Sequence, residues 1–382
     1  MSISLEFPRC LEVDFPDEIA LASTAVERVL DASAGANLEP LVRRSPALKD
    51  NDWSVYLRCS VARMAHVLGA LSRRGVHGAR ILDVGSYFGN VSLMLASAGH
   101  RVEAVDSYRA YESAFAGCQN LMRAAGITIH DFADVGYDLR GFDGGTFDAV
   151  ICLGVIEHVP HTPRLLLESL NRVLTRDGYL VLDTPNQAYL YTRQRLASGE
   201  SVMAPIAAQY ASDIPFEGHH REYIPPELLW MLQQIGHTEV EIELFNYSVY
   251  ALGAIDGRDV DNFWAMTLDP AMREIIMTIS RKTGALAEAA SASADWRQHF
   301  VETEPHWLAC VPEQVRARQR QVEAAAEIAA QRTFENLVDE IATRDRTIAE
   351  LHRHIGWLQR ERDARLDERL KRYWRRVFGG AR

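Results

Sequence analysis

The sequence has no apolar run approaching the roughly 20 residues that a membrane-spanning helix needs, which excludes such a segment. Its first residues, MSISLEFPRCLEVDF, carry acids and Pro8 where a secretory signal has a basic end and an apolar core, so no signal peptide is read there. Cysteine is scarce: Cys10, Cys59, Cys118, Cys152 and Cys310 are scattered, odd in number and form no C-x-x-C. That excludes a disulfide framework or zinc ribbon and reads as a reduced, cytoplasmic protein. Basic residues are in the minority, 41 Lys+Arg against 52 Asp+Glu for a formal charge of −11, which argues against a nucleic-acid binder. With 47% hydrophobic and 24% charged residues, the 382-residue chain is globular in composition. At roughly 150 residues per domain it has room for two or three folding units.

Four regions separate. Residues 1–49 hold an amphipathic segment over 19–30 and read as a helical cap. Residues 50–284 begin with a helix over 53–71, with Asp52 as its N-cap. From Arg80 short apolar strands alternate with helices: strands at 81–84, 101–105, 127–130, 147–153, 179–183, 238–249 and 275–280, and helices at 90–98, 108–125, 163–174 and 227–235. This alternation predicts an α/β fold, a mainly parallel sheet with helices on both faces. Residues 285–333 read as a linker and helical segment, and 334–382 as a coiled coil with a basic amphipathic tail. In the coil Phe334, Leu337, Ile341, Arg344, Ile348, Leu351, Ile355 and Leu358 follow alternating spacings of three and four, with Arg344 the single polar member.

The most informative stretch is ILDVGSYFGN, residues 81–90, an apolar strand running through a glycine-containing turn into a helix. Asp106 stands at the end of the following strand, where a carboxylate can accept from both hydroxyls of a ribose. Dinucleotide sites want G-x-G-x-x-G so that a pyrophosphate rests on the helix N-terminus. Here Gly85 and Gly89 are spaced G-x-x-x-G, and Asp83 precedes them. A carboxylate there suits a ligand with an ammonium and a sulfonium, which disfavours a nicotinamide oxidoreductase.

The segments ILDVGSYFGN, VEAVD, FDAVICLGVIEHVPH and LNRVLTRDGYLVLDTPN resemble the successive motifs of class I S-adenosylmethionine-dependent methyltransferases. The last two most resemble the branch containing the ubiquinone-biosynthesis O-methyltransferases. The resemblance covers about residues 50–250 and implies a Rossmann-like, seven-stranded sheet with one antiparallel strand and the cofactor over the strand C-terminal ends. It implies that Asp83, Gly85 and Gly89 hold the methionyl end of S-adenosyl-L-methionine and that Asp106 holds the ribose. Asp131, preferred over Asp134, would stand near the adenine amino group.

On the acceptor side Glu157 and His158 follow the fourth strand, and an imidazole there can take a proton from an attacking hydroxyl; the alternative is that both only fix a loop. Some relatives bind a divalent ion with two acids and the His of this segment, but the position three before Glu157 is Gly154, so no metal is expected. A second cluster, EGHHREYIPPEL, resembles the family's H-x-R-E-Y segment. His219 is its matching His, a second candidate base, while Arg221 and Tyr223 are candidate acceptor contacts. Alternatively Arg221 pairs with Glu222 or Glu217, and Tyr223 is a core aromatic. The insertion 186–215, with Tyr189, Tyr191, Arg193 and Arg195, reads as part of an acceptor wall or a lid.

The expected function is methyl transfer to a hydroxyl of a small molecule or glycan, with cell-surface polysaccharide synthesis as the candidate setting. The expected partners are that acceptor and a second copy of the chain through the coil, with no nucleic acid. The tail 369–382 has six basic residues and no acid, interleaved with aromatics, a pattern suited to an anionic membrane surface. The alternative is a catalytically inactive scaffold acting through its coil.

Overall fold

The computed structural model describes residues 16–133, 139–160, 162–212, 216–246, 262, 265–266, 269–284 and 312–378. Readings that fall on Cys10, Asp134, Cys310, the segment 285–311 and the last four residues lie outside them. The chain divides into two compact units, Met1–Ala294 and Asp295–Arg382.

The first unit is built on seven strands: β1 (Arg80–Val84), β2 (Arg101–Asp106), β3 (Thr128–Asp131), β4 (Phe147–Leu153), β5 (Leu174–Pro185), β6 (His237–Phe245) and β7 (Ile275–Lys282). Their order is β3-β2-β1-β4-β5-β7-β6. The pairs from β3 to β5 are parallel, and β7 is antiparallel to both β5 and β6. β1 and β4 are buried at all but one position each, the near-continuous apolar run that a strand covered on both faces requires. The strand order reverses between β1 and β4, and a crevice for ligands opens beyond the carboxyl ends at such a switch point.

One face carries α1 (Pro16–Ser33), α3 (Trp53–Arg73), α4 (Asn90–Ser97) and α5 (Ala116–Ala124), whose apolar residues join Ile81 and Ile151 in one core. The opposite face carries α6 (Pro163–Val173) and α9 (Pro225–Gln234) over Leu82, Val84 and Val150. The N-terminal helix α1 is thus part of the main core, with Ala22, Val26 and Val29 fully buried. The short α2 (Glu39–Arg44) follows it. Asp52 caps α3 as expected, its carboxylate accepting from the amides of Ser54 and Val55.

The segment 108–125, expected as one helix, is divided. A 3-10 turn at Tyr108–Tyr111 ends at Glu112 with φ 52, and α5 starts only at Ala116. The reversal lets Tyr108, Tyr111 and Phe115 pack edge to face, with Phe115 4.9 Å from the ring of Tyr87. Aromatic packing outweighs local helix propensity here. The insertion after β5 contains α7 (Leu190–Ala197) and α8 (Ile206–Ala211).

In the second unit α10 runs over Pro312–Phe378, starting well before the heptad seam. At 1.5 Å per residue, its 67 residues span about 100 Å. Leu337, Ile341, Ile348, Leu351, Ile355 and Leu358 of the seam are all exposed.

Candidate active site

The turn after β1 is sterically specified. Gly85 has φ 75, and a Cβ there would fall 2.3 Å from Cγ2 of Val155; Gly89, at φ 81, would meet Sδ of Met122 at 2.3 Å. Both need the left-handed region that glycine enters without cost, and both allow neighbouring segments to close in. Between them Tyr87 takes φ 48, and its amide donates to Oδ2 of Asp106 at 2.7 Å. The other oxygen of Asp106 accepts from the amide of Ser107 at 2.7 Å. A carboxylate has about four lone-pair sites, so two amides leave acceptor capacity for a diol. Burial raises the Asp106 carboxyl to about 6, opposed by the two amide bonds and reinforced by the charge of Glu217.

Asp83 is placed differently from the expectation that it meets the ligand. It is 2% exposed and accepts from the hydroxyl of Ser92 on α4. Burial raises its carboxyl to about 7, and the Ser92 bond lowers it in part. Its side chain points at α4 because the alternation along β1 turns position 83 toward the helix face that also covers Ile81. Any influence of Asp83 on a cation in the crevice is electrostatic in this arrangement. Asp131, at the end of β3, accepts from the amide of Arg109 at 3.2 Å and pairs with its Nε at 2.7 Å.

Beyond β4 a 3-10 turn, Ile156–His158, carries the acceptor-side residues. The Glu157 carbonyl accepts from the amides of His220 (2.7 Å) and Arg221 (3.3 Å), which brings the two sequence clusters together. Glu157 is 2% exposed, and its Oε2 has no hydrogen-bond partner among the described residues. A buried carboxylate oxygen without a donor is costly, and a donor supplied by a ligand would satisfy it.

His158 places Nδ1 2.6 Å from the carbonyl oxygen of Glu217. A carbonyl only accepts, so Nδ1 carries a hydrogen, and in the neutral ring that leaves the lone pair on Nε2. His219 places Nδ1 2.9 Å from Oε1 of Glu222. Burial opposes protonation of His219, but the Glu222 bond and the charges of Glu157 and Glu222 outweigh it and raise its pKa. The two rings lie 4.9 Å apart, edge to face. One ligand-type atom from each of Glu157, His158 and His219 lies within 4.8 Å of the others.

That trio has the donor types of a cation site, but its surroundings do not fit one well. Arg63 of α3 pairs through Nε with Oδ2 of Asp183 at 2.6 Å, and the Gly154 amide donates to Oδ1 at 2.8 Å. A Cβ at Gly154 would lie 3.5 Å from both Nη2 of Arg63 and Oε1 of Glu157. The position that lacks an acid therefore faces a guanidinium, whose fixed charge repels a second cation. Burial lifts the Asp183 carboxyl to about 7 while Arg63 draws it back.

Of the two readings offered for Tyr223, the structure has the core aromatic, and Arg221 is engaged by an acid other than the two expected. Arg221 pairs with Glu227 at 2.5 Å, not with Glu217 or Glu222, and its guanidinium stands over the Tyr223 ring. Tyr223 is 3% exposed and belongs to the core beneath α6 and α9. The reason is the start of α9, where Glu227 also accepts from the amide of Ile224 and so turns this strip toward the helix. In the insertion, Arg193 donates to the Ala188 carbonyl and Arg195 pairs with Glu200, so both are engaged locally.

Sequence reasoning missed Arg44, Arg63, Asp183 and the role of Glu217. The one available signal was Arg63 itself, a charge inside a helix whose neighbours Ala62, Met64 and Ala65 are buried.

Residues 56–242 match the family model for a methyltransferase domain. The ubiquinone biosynthesis O-methyltransferase of Xanthomonas axonopodis pv. citri (strain 306) is 29% identical over 204 residues, 50% of this chain and 77% of that relative. The enzyme of the same name from Xanthomonas oryzae pv. oryzae (strain PXO99A) is 28% identical over 164 residues, 41% of this chain, and the match spans 60% of that relative's length. Among solved structures, a Burkholderia thailandensis 1,6-didemethyltoxoflavin-N1-methyltransferase with bound 1,6-didemethyltoxoflavin and S-adenosylhomocysteine is 18% identical. It covers 68% of this chain and 89% of its own, with a TM-score of 0.40.

Proposed function

We propose that residues 56–242, which match the methyltransferase-domain model, form a class I S-adenosylmethionine-dependent methyltransferase domain, and that the chain methylates a hydroxyl oxygen of a small-molecule or glycan acceptor. When bound, S-adenosyl-L-methionine supplies an electrophilic methyl carbon on a positive sulfur. Asp106 would accept from the ribose hydroxyls with the capacity its two amide bonds leave free, and Asp131 would stand at the adenine edge. Gly85 and Gly89 would let the backbone approach the methionyl end. Nε2 of His158 or of His219 would take the acceptor's proton as its oxygen attacks in line with the breaking carbon–sulfur bond. Oε2 of Glu157 would accept a hydrogen bond from the acceptor and help fix its approach, since alignment supplies much of the acceleration in such a transfer. No metal is assigned.

The observation that carries this reading is the meeting, beyond the β1/β4 switch point, of Glu157 with two imidazoles whose Nδ1 atoms are both engaged. O-methylation rather than another acceptor atom rests on these bases and on the names of the Xanthomonas relatives. We also read the exposed seam of α10 as a homo-oligomer contact and the tail 369–382 as a peripheral contact with the inner face of a membrane.

Incubating the protein with radiolabelled S-adenosyl-L-methionine and fractionated cell extract tests the activity. Label should enter a fraction and be released as methyl iodide by hot hydriodic acid, which cleaves methyl ethers under conditions that leave N-methyl groups in place. Titration calorimetry with S-adenosylhomocysteine tests the cofactor; absence of heat would favour the scaffold alternative. His158→Ala should lower turnover more than donor affinity, and normal turnover would remove it as a base.

A further inference from the structure

Glu217 has no part in the chemistry above, yet three separate stretches of the chain meet on it. Its Oε1 accepts from Nη2 of Arg44, the last residue of α2, in an ion pair partly shielded from solvent. Its Oε2 accepts from the Tyr111 hydroxyl at 3.3 Å. The Arg44 guanidinium also lies over the Tyr111 ring, 5.7 Å from the centroid, so the three side chains close on one another. The backbone carbonyl of the same Glu217 is the oxygen that meets Nδ1 of His158.

The side chain of residue 217 is thus clamped on the cofactor side, by groups beside Asp106, while its carbonyl holds an imidazole on the acceptor side. A neutral imidazole exchanges its proton between two nitrogens unless a neighbour selects one. Only the form with hydrogen on Nδ1 leaves Nε2 able to accept a proton, and the Glu217 carbonyl selects that form. An exposed loop carbonyl would select it weakly. One held by a side-chain ion pair and a second hydrogen bond stays in place.

We propose that Glu217 is a positioning residue for methyl transfer, locked by Arg44 and Tyr111 so that His158 is held with its Nε2 lone pair available. The role assigned to His158 rests on the function proposed above; the tautomer itself does not. The short helix α2 thereby belongs to the active site through Arg44.

The test uses the full chain labelled with nitrogen-15 at histidine and long-range proton–nitrogen correlation spectra, with His158 identified by the signals lost in His158→Gln. In the unmodified protein His158 should be protonated at Nδ1. Arg44→Ala should convert its signals to an average of both tautomers and lower kcat about tenfold, with S-adenosylhomocysteine affinity changed less than threefold. Arg44→Lys should restore most of both. Tyr111→Phe, which removes only a hydroxyl, should move the signals in the same direction by less. An Nε2-protonated His158 in the unmodified protein, or a tautomer unmoved by both Arg44→Ala and Tyr111→Phe, would overturn the proposal. The spectra need no methyl donor, so failure of calorimetric binding in the unmodified protein would sink the methyltransferase reading separately.

Discussion

Asp106 stands directly opposite Asp131 in the parallel pairing of β2 with β3. Two carboxyls remote in sequence are thereby placed side by side at the strand ends. Their supports differ: two backbone amides hold Asp106, whereas the Arg109 side chain and amide hold Asp131. Asp106 is held from two sides, by the Tyr87 amide of the glycine turn and by the amide of Ser107 that follows it, and the spacing of neighbouring strands sets its distance from Asp131.

Asp106→Ala should therefore weaken S-adenosylhomocysteine binding. Loss of hydrogen bonds to a charged group costs about 1.5–3 kcal/mol, roughly a tenfold to hundredfold rise in Kd. Calorimetry checks the affinity and circular dichroism the fold. Unchanged affinity would refute the ribose assignment.

The same carboxyl predicts a pH dependence. Its pKa in the unliganded protein is raised to about 6, and ribose hydroxyls donate best to the ionised form. Binding should thus be full above about pH 7 and fall toward tenfold per unit below about pH 6, because a proton must leave before the ligand is held. Titrations across this range in the unmodified protein and in Asp106→Asn should show the slope only in the former.

Stability should depend on pH in the opposite sense through Asp83. Its folded pKa, about 7, is above its value in the unfolded chain, so folding favours the protonated form. That contribution is complete below about pH 4 and is lost as pH rises to about 7. Asp83→Asn, which keeps an acceptor for Ser92, should flatten the decline of Tm between about pH 5 and pH 8. An unaltered decline would assign it to other groups.

Gly85→Ala should lower stability by about 2–4 kcal/mol, combining the left-handed backbone with the overlap on Val155. Adding Val155→Ala should recover the overlap part and leave the backbone part. Denaturant unfolding of the single and double variants separates the two; full recovery would mean that φ 75 carries no strain.

The seam of α10 should behave as an association surface. Ile348→Asp with Leu351→Asp places charges in the middle of the heptad and should convert an oligomer to monomer in sedimentation equilibrium, with S-adenosylhomocysteine binding retained. A monomeric unmodified chain would remove the coil reading.

The strands, the Asp52 cap and the glycine turn were readable because their determinants are local. Period-two and period-3.6 apolar patterns, a capping side chain and a glycine before a helix act over a few residues. The heptad of α10 was readable for the same reason; ahead of it a helical segment was expected within 285–333, but its start at Pro312 was not placed, because a polar helix without a seam gives no periodic signal. The division of the segment 108–125 was not readable, since it depends on Phe115 finding Tyr87 and Phe88 across the core.

By itself the sequence determined which residue types are available: a turn that admits a close ligand, an acid after the second strand, and two histidine-bearing segments. Tertiary structure alone decided which of them meet. It joined Glu157 and His158 to His219, set Arg63 beside Gly154, tied Arg44 to Glu217, and turned Arg221 and Tyr223 away toward α9. Local pattern reports a side chain's face on its own element. Which distant group lies opposite follows from sheet order and helix packing, and those depend on the burial of the whole core at once.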